Sequence, residues 1–173
     1  METPPAGFGR SLSLSVKAGL RAKEIASLTW EMVTTSEGEV GTSIHLQNSA
    51  SKGRAGGRIV PLNRELRSAL LDLRAWTSDE RRSPFVITTE RSSRTSPQMI
   101  VNLFSRWYEE LGFSGCSSHS GRRTFITQAA RKISTVGGSL RDVQALAGHS
   151  NLSTTQRYID AQVEAQRKIV EIV

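Results

Sequence analysis

At 173 residues, 37% of them hydrophobic, the chain is long enough for one domain with a real core, short for two, and too apolar to stay disordered. Its 23 basic residues against 16 acidic ones leave a net charge of +7, and the sequence pI near 10.3 favours a polyanionic partner such as nucleic acid. One cysteine, Cys116, excludes an internal disulfide. No Cys/His spacing reads as a zinc site, no apolar run is long enough to span a membrane, and Met1 to Gly7 lacks a charged-then-apolar signal region, so the chain reads as intracellular.

In chain order, residues 1–10 are rich in Pro and Gly and are expected to form a flexible arm. Ser11 to Lys17 begins a short element leading into Gly19-Leu20-Arg21. Ala22 to Leu28 reads as a helix with Ile25 and Leu28 on one side. Val40, Ile44 and Leu46, then Ile59, Val60 and Leu62, flank a Ser/Lys/Gly/Arg-rich tip at residues 49–58, the pattern of a small antiparallel sheet with a basic hairpin loop. Asn63 is a helix N-cap before Leu66, Ala69, Leu70 and Leu73 at helical spacing. Phe85 to Ile87 is a short strand or extended piece. Ser96 and Pro97 start a helix whose apolar stripe runs through Ile100, Leu103, Phe104, Trp107, Tyr108 and Leu111 to Gly112. His119 to Ile133 forms a further helix with Phe125, Ile126, Ala129 and Ile133 inward. Ser139 and Asp142 form a capping box before Val143 and Leu146. Residues 152–158 are helical, and Ile159, Val163, Val170 and Val173 mark a last amphipathic helix interrupted by Gln166. The fold class is mainly α with a small antiparallel β-sheet (α+β), with no internal repeat or domain linker.

The chemistry-bearing residues cluster. Of three histidines and two tyrosines, His119, His149 and Tyr158 fall in one C-terminal stretch with Arg122. Arginine neutralises a phosphate, histidine bonds its oxygens or moves protons, and a tyrosine oxygen can attack phosphorus. His119 and Arg122 are three apart and would share a helix face. Arg122 borders the buried side, where a guanidinium needs an anion that it can grip with two donors, or a carboxylate. A tyrosine in the small, polar segment of Thr154 and Thr155 is poorly placed for a core. Lys52, Arg54 and Arg58 stand on the hairpin loop among Gly53, Gly56 and Gly57, a flexible basic loop suited to close over a DNA groove. Taken singly, Arg21 is one more surface charge and HxxR a surface arginine with a packed stem.

Four segments in order carry a resemblance. Gly19 to Trp30 (GLRAKEIASLTW), Ser51 to Gly53 (SKG), His119 to Phe125 (HSGRRTF) and Leu146 to Tyr158 (LAGHSNLSTTQRY) resemble the catalytic domain of the tyrosine recombinase (phage integrase) family over roughly residues 10–173. The resemblance implies that family's DNA breaking-rejoining fold and the following roles. Arg21 and Arg122 would grip the scissile phosphate and stabilise its pentacoordinate transition state. Lys52 would protonate the leaving 5′-hydroxyl, His119 would handle a proton beside the tyrosine, and His149 would hydrogen-bond the phosphate. Tyr158 would be the nucleophile, giving a 3′-phosphotyrosyl intermediate. Glu24 would support Arg21, and Arg54, Arg58 and Arg123 would contact DNA. No metal or other cofactor is needed in this scheme, because arginines take the part of Mg²⁺ and the covalent link stores the bond energy. The implied partner is double-stranded DNA, held in a homo-tetrameric synapse in the cytoplasm at the nucleoid, and the implied setting is that of a mobile element.

Two departures stand out. Gly121 replaces the family's usual leucine, which predicts a looser or later helix start, and Lys132 to Leu140 is a few residues longer, as a Gly-containing loop. Only 20 residues precede Arg21, so the helical domain that completes the family's clamp on DNA is expected to be absent, leaving an arm (1–10) and a catalytic domain (11–173). Two alternatives stay open: a non-catalytic DNA-binding remnant, and a type IB topoisomerase-like relaxing enzyme.

Overall fold

The computed structural model describes residues 6–47, 57–76, 83–89, 92–159 and 170–171. Helices dominate, with one two-stranded antiparallel sheet among the described residues. No described helix is long and apolar enough to cross a membrane.

The N-terminus differs from its expectation. Helix α1 spans Ala6–Ala18, so helix replaces the expected arm from Ala6 on, and residues 1–5 lie outside the described set. Helix propensity is poor here, with Gly7 and Gly9 in the first turns. Tertiary packing overrides it: Ser11, Leu14, Ser15 and Ala18 are all buried, and α1 lies against α5 (Ser120–Lys132). Gly121 makes that approach possible. A Cβ there would stand 2.7 Å from Ser15 Oγ and 3.0 Å from Val16 Cγ2. The glycine expected to loosen the start of this helix is instead where α1 touches it, and α5 starts at Ser120, at its expected place.

Helix α2 (Ala22–Ala26) is followed by a 3-10 turn at Trp30–Met32. Strands β1 (Ser43–Leu46) and β2 (Arg58–Pro61) pair with Ile44 opposite Val60 and Leu46 opposite Arg58. Ile44, Leu46 and Val60 enter the core, while Ile59 faces outward. The basic hairpin tip, with Lys52 and Arg54, lies outside the described residues. Helix α3 (Arg64–Trp76) is capped as expected, Asn63 Oδ1 accepting from Leu66 N–H at 2.8 Å, and buries Leu66, Leu70 and Leu73. The Phe85–Ile87 piece is extended: Thr29 bridges to Phe85, and Val86 and Ile87 are buried. Helix α4 (Pro97–Glu110) has Ser96 as N-cap, its Oγ accepting from Met99 N–H at 3.1 Å. These elements share one core around Leu14, Leu20, Ile25, Leu28, Ile44, Ile100 and Phe104.

A smaller cluster of Ile126, Val143 and Ala147 joins α5 to α6 (Leu140–Ala147). The expected loop after α5 holds a 3-10 turn at Ile133–Val136 that ends on Gly137. Ser139 N–H and Oγ–H donate to Asp142 Oδ2 at 2.7 and 2.9 Å, the expected box at the start of α6. Helix α7 (Leu152–Gln156) carries the chain to Tyr158. The expected last helix falls largely outside the described residues.

Candidate active site

Four chain segments meet between the two clusters. The first is the turn from α1 to α2. Gly19, at φ 64°, reverses the chain in the left-handed region that glycine adopts without strain, and its carbonyl points at Arg122. Any side chain there would collide with Phe125. Arg21 then takes the N-cap of α2 in an extended conformation. An arginine has no acceptor to cap the helix. Glu24 supplies the return half of a capping box: its Oε2 accepts from Arg21 N–H at 2.8 Å and its Oε1 from Arg21 Nη1 at 3.0 Å.

Glu24 is fully buried, and a second arginine holds it. Arg58 Nη1 and Nη2 donate to Glu24 Oε1 and Oε2 at 2.6 and 3.0 Å. The Arg58 side chain is only 9% exposed. Burial alone would raise the Glu24 pKa, but the Arg58 hydrogen bond and charge, with Arg21 behind them, bring it below the usual carboxylate value. So Arg58, expected as a DNA contact on the hairpin loop, is the first residue of β2 and sits inside the protein. Arg58 and Val60 are two apart, so with β2 starting at Arg58 both fall on its inward face.

Helix α5 supplies Arg122, which is 3% exposed. Its Nη1 donates to Gly19 O at 2.5 Å, and its Nη2 to Ala147 O at 2.6 Å and to His149 Nε2 at 3.0 Å. None of these partners is a carboxylate. Burial, then the charge of Arg21, with Arg58 adding to it and Glu24 opposing, lowers its pKa from 12.5 to about 10. Around Glu24, three arginines face one carboxylate, so two positive charges are left uncompensated. His119 is brought only partway. It is the N-cap of α5, and it is exposed where Arg122 is buried. Arg123 is exposed on the outer side of α5.

The turn from α6 to α7 closes the site. Gly148, at φ 59°, ends α6 in the left-handed region. A Cβ there would lie 2.8 Å from Arg58 Nη1, so glycine is required both by the turn and by the arginine beneath it. His149 is held by its backbone, its N–H donating to Gln144 O at 3.1 Å and its carbonyl accepting from Gln144 Nε2 at 3.0 Å. Its Nδ1 lies 2.9 Å from Thr155 Oγ1. Burial, then Arg122, Arg21 and Arg58, pull its pKa from 6.5 down to about 4, so the ring is neutral at pH 7. Tyr158 is half-buried against the smaller cluster. Its ring lies over that of His149 with centroids 5.7 Å apart and planes inclined by 21°. Thus Arg21, Glu24, Arg58, Arg122, His149 and Tyr158 converge from four segments. Thr155 carries no sequence signal of a site residue, because a hydroxyl three residues before a tyrosine is too common a pattern.

The chain spans about half the length of the curated relatives it matches. The tyrosine recombinase XerC of Shewanella sp. (strain ANA-3) is 33% identical over 164 residues, covering 92% of this chain and 50% of that protein. XerA of Thermococcus kodakarensis is 31% identical over 157 residues, covering 89% and 51%. In fold the chain is similar to the Tn1549 transposon integrase in complex with circular intermediate DNA, with a TM-score of 0.73 at 18% identity over 98% of this chain and 61% of that one. It is also similar to the XerA recombinase crystal structure, with a TM-score of 0.70 at 24% identity over 95% and 55%; at such identities the likeness is one of fold. The model of the phage integrase family matches residues 9–165. That span includes every segment that builds this cationic site, and the chain belongs to the phage integrase family, of which it holds the tyrosine recombinase catalytic domain.

Proposed function

We propose that the chain cuts and rejoins double-stranded DNA at specific sites through a covalent 3′-phosphotyrosyl intermediate. The observation that carries this reading is the unbalanced buried charge: three arginines around one carboxylate, with Arg122 on carbonyls and a histidine alone. A buried charge without a counter-charge is costly, and a phosphodiester, a monoanion that gains a second negative charge in its pentacoordinate transition state, accepts the donors these arginines offer. Tyr158 stands beside it.

In this reading Arg122 and Arg21 bind the non-bridging oxygens and His149 adds a hydrogen bond. Tyr158 Oη attacks phosphorus, forming a P–O bond as the P–O5′ bond breaks. The phenolic proton leaves to a base, the part assigned to His119, and the departing 5′-oxygen takes a proton from Lys52. In resealing, a 5′-hydroxyl attacks the phosphotyrosine and releases Tyr158. Glu24 and Arg58 keep Arg21 in place, and Arg54 and Arg123 contact the DNA backbone. The reaction runs on a homo-oligomeric synapse, where the DNA is held at the nucleoid. The relatives' name and the DNA carried by the Tn1549 integrase structure support this reading.

The test is adduct formation on nicked suicide duplexes carrying the relatives' core sites. The wild-type chain should give a covalent protein–DNA species that survives denaturation, and Tyr158→Phe should give none. Retained DNA binding with no wild-type adduct on any duplex would establish the non-catalytic remnant instead.

A further inference from the structure

The two nitrogens of His149 meet partners of different capability. Arg122 has only donors, so its Nη2, 3.0 Å away, makes Nε2 an acceptor. A ring protonated on both nitrogens would add a charge beside Arg122, Arg21 and Arg58, the cations that already act on it. A neutral ring must then carry its proton on Nδ1 and donate it to Thr155 Oγ1 at 2.9 Å. Thr155 is completely buried in α7, and its carbonyl accepts from Tyr158 N–H at 3.1 Å. The side chain that orients the histidine therefore also sits in the turn that sets the tyrosine.

This free-state tautomer is the wrong one for holding an anion, because Nε2 without a proton repels a phosphate oxygen. A hydroxyl can correct it, since it both accepts and donates. We propose that Thr155 is a positioning residue that serves both tautomers of His149 and so lets the ring change from one to the other. Its hydroxyl accepts from Nδ1–H in the free protein and donates to Nδ1 once phosphate occupies the site, which leaves Nε2–H aimed at the anion. Protons balance: Nδ1 gives one to solvent, Nε2 takes one from solvent, and the ring stays neutral. Arg122 Nη2 meanwhile turns its hydrogen bond from Nε2 to the phosphate. The second half rests on the DNA-cleaving reading, whereas the first half does not.

Two measurements test it. Long-range ¹H–¹⁵N spectra of the free wild-type chain should show His149 protonated at Nδ1 and bare at Nε2; the opposite tautomer would overturn the proposal. On a nicked duplex, Thr155→Val, which keeps the shape and removes the hydroxyl, should slow adduct formation about ten- to hundredfold, the scale of one hydrogen bond to a charged centre. DNA affinity should be little changed. Thr155→Ser, which keeps the hydroxyl and removes the methyl, should restore most of the rate. Wild-type rate in the valine variant, or a serine variant as slow as valine, would mean that Thr155 only packs. If the valine variant does not fold, Thr155→Ala against Thr155→Ser, which differ by the hydroxyl alone, makes the same comparison. A wild-type chain without any adduct would defeat the cleavage reading, and the spectra would still decide the free-state tautomer.

Discussion

Arg58 and Arg123 are both arginines of a strongly basic chain, yet their surroundings give them opposite energetics. Arg58 donates both Nη groups to a carboxylate with no exposure to water. Removing Arg58 takes two charge-assisted hydrogen bonds from the buried Glu24 and leaves it Arg21 alone, which costs about 1.5–3 kcal/mol. Arg58→Ala should therefore lower the unfolding free energy by about that much in urea, whereas Arg123→Ala, at an exposed position, should stay within about 0.5 kcal/mol of wild type. Equal, small effects from the two variants would return Arg58 to the surface role that the sequence assigned it. The difference explains which parts of the site were legible beforehand. Arg21, Arg122, His149 and Tyr158 stand in linear motifs whose order carries the family resemblance, and the resemblance makes them legible. The partner of Arg58 lies 34 residues away, and a glycine-rich, basic stretch hides the point where the loop ends and the strand begins.

At the scale of elements, the meeting of α1 and α5 decides where Arg122 sits. Gly121 adjoins Arg122 in the same turn, and it lies against Ser15 and Val16 of α1. Alanine there would gain about 1 kcal/mol of helix propensity, but its Cβ would have to push Ser15 Oγ back from 2.7 Å. Ser15 is fully buried, the added Cβ would also stand 3.0 Å from Val16 Cγ2 and 3.1 Å from Ser15 Cβ, and overpacking of this kind costs about 1–3 kcal/mol. The packing cost wins, so Gly121→Ala should lower the melting temperature. A rise would mean that α1 yields and that helix propensity governs this site. The same contact explains why residues 6–10 read as part of an arm while belonging to α1. A helix with two glycines in its first turns, docked on an element more than 100 residues later, is held by neighbours that local pattern does not reveal. Helices α3, α4 and α6 carry their own start signals, Asn63, Ser96 with Pro97, and Ser139 with Asp142, and these were legible without any tertiary information.

At the scale of the molecule, a net charge of +7 is divided between two uses. Part is buried or half-buried: Arg21, Arg58 and Arg122 gather around one carboxylate and offer charge to a single phosphate. Part is exterior, where Arg123 and Arg131 line one exposed face of α5 with Ser120, Thr124, Thr127 and Gln128. A phosphate bound by an exposed arginine releases condensed counterions, so the logarithm of affinity falls with the logarithm of salt by about 0.9 for each phosphate neutralised on duplex DNA. If Arg123 makes one such contact, Arg123→Ala should reduce the magnitude of that slope by about one unit while leaving the melting temperature and the adduct chemistry of Tyr158 intact. Fluorescence anisotropy of a labelled duplex across a potassium chloride series reads the slope directly. An unchanged slope would remove Arg123 from the DNA interface and leave the buried arginines and the hairpin to supply the contacts. Weaker binding with an unchanged slope would mean that Arg123 acts through the position of α5 and not through a phosphate of its own.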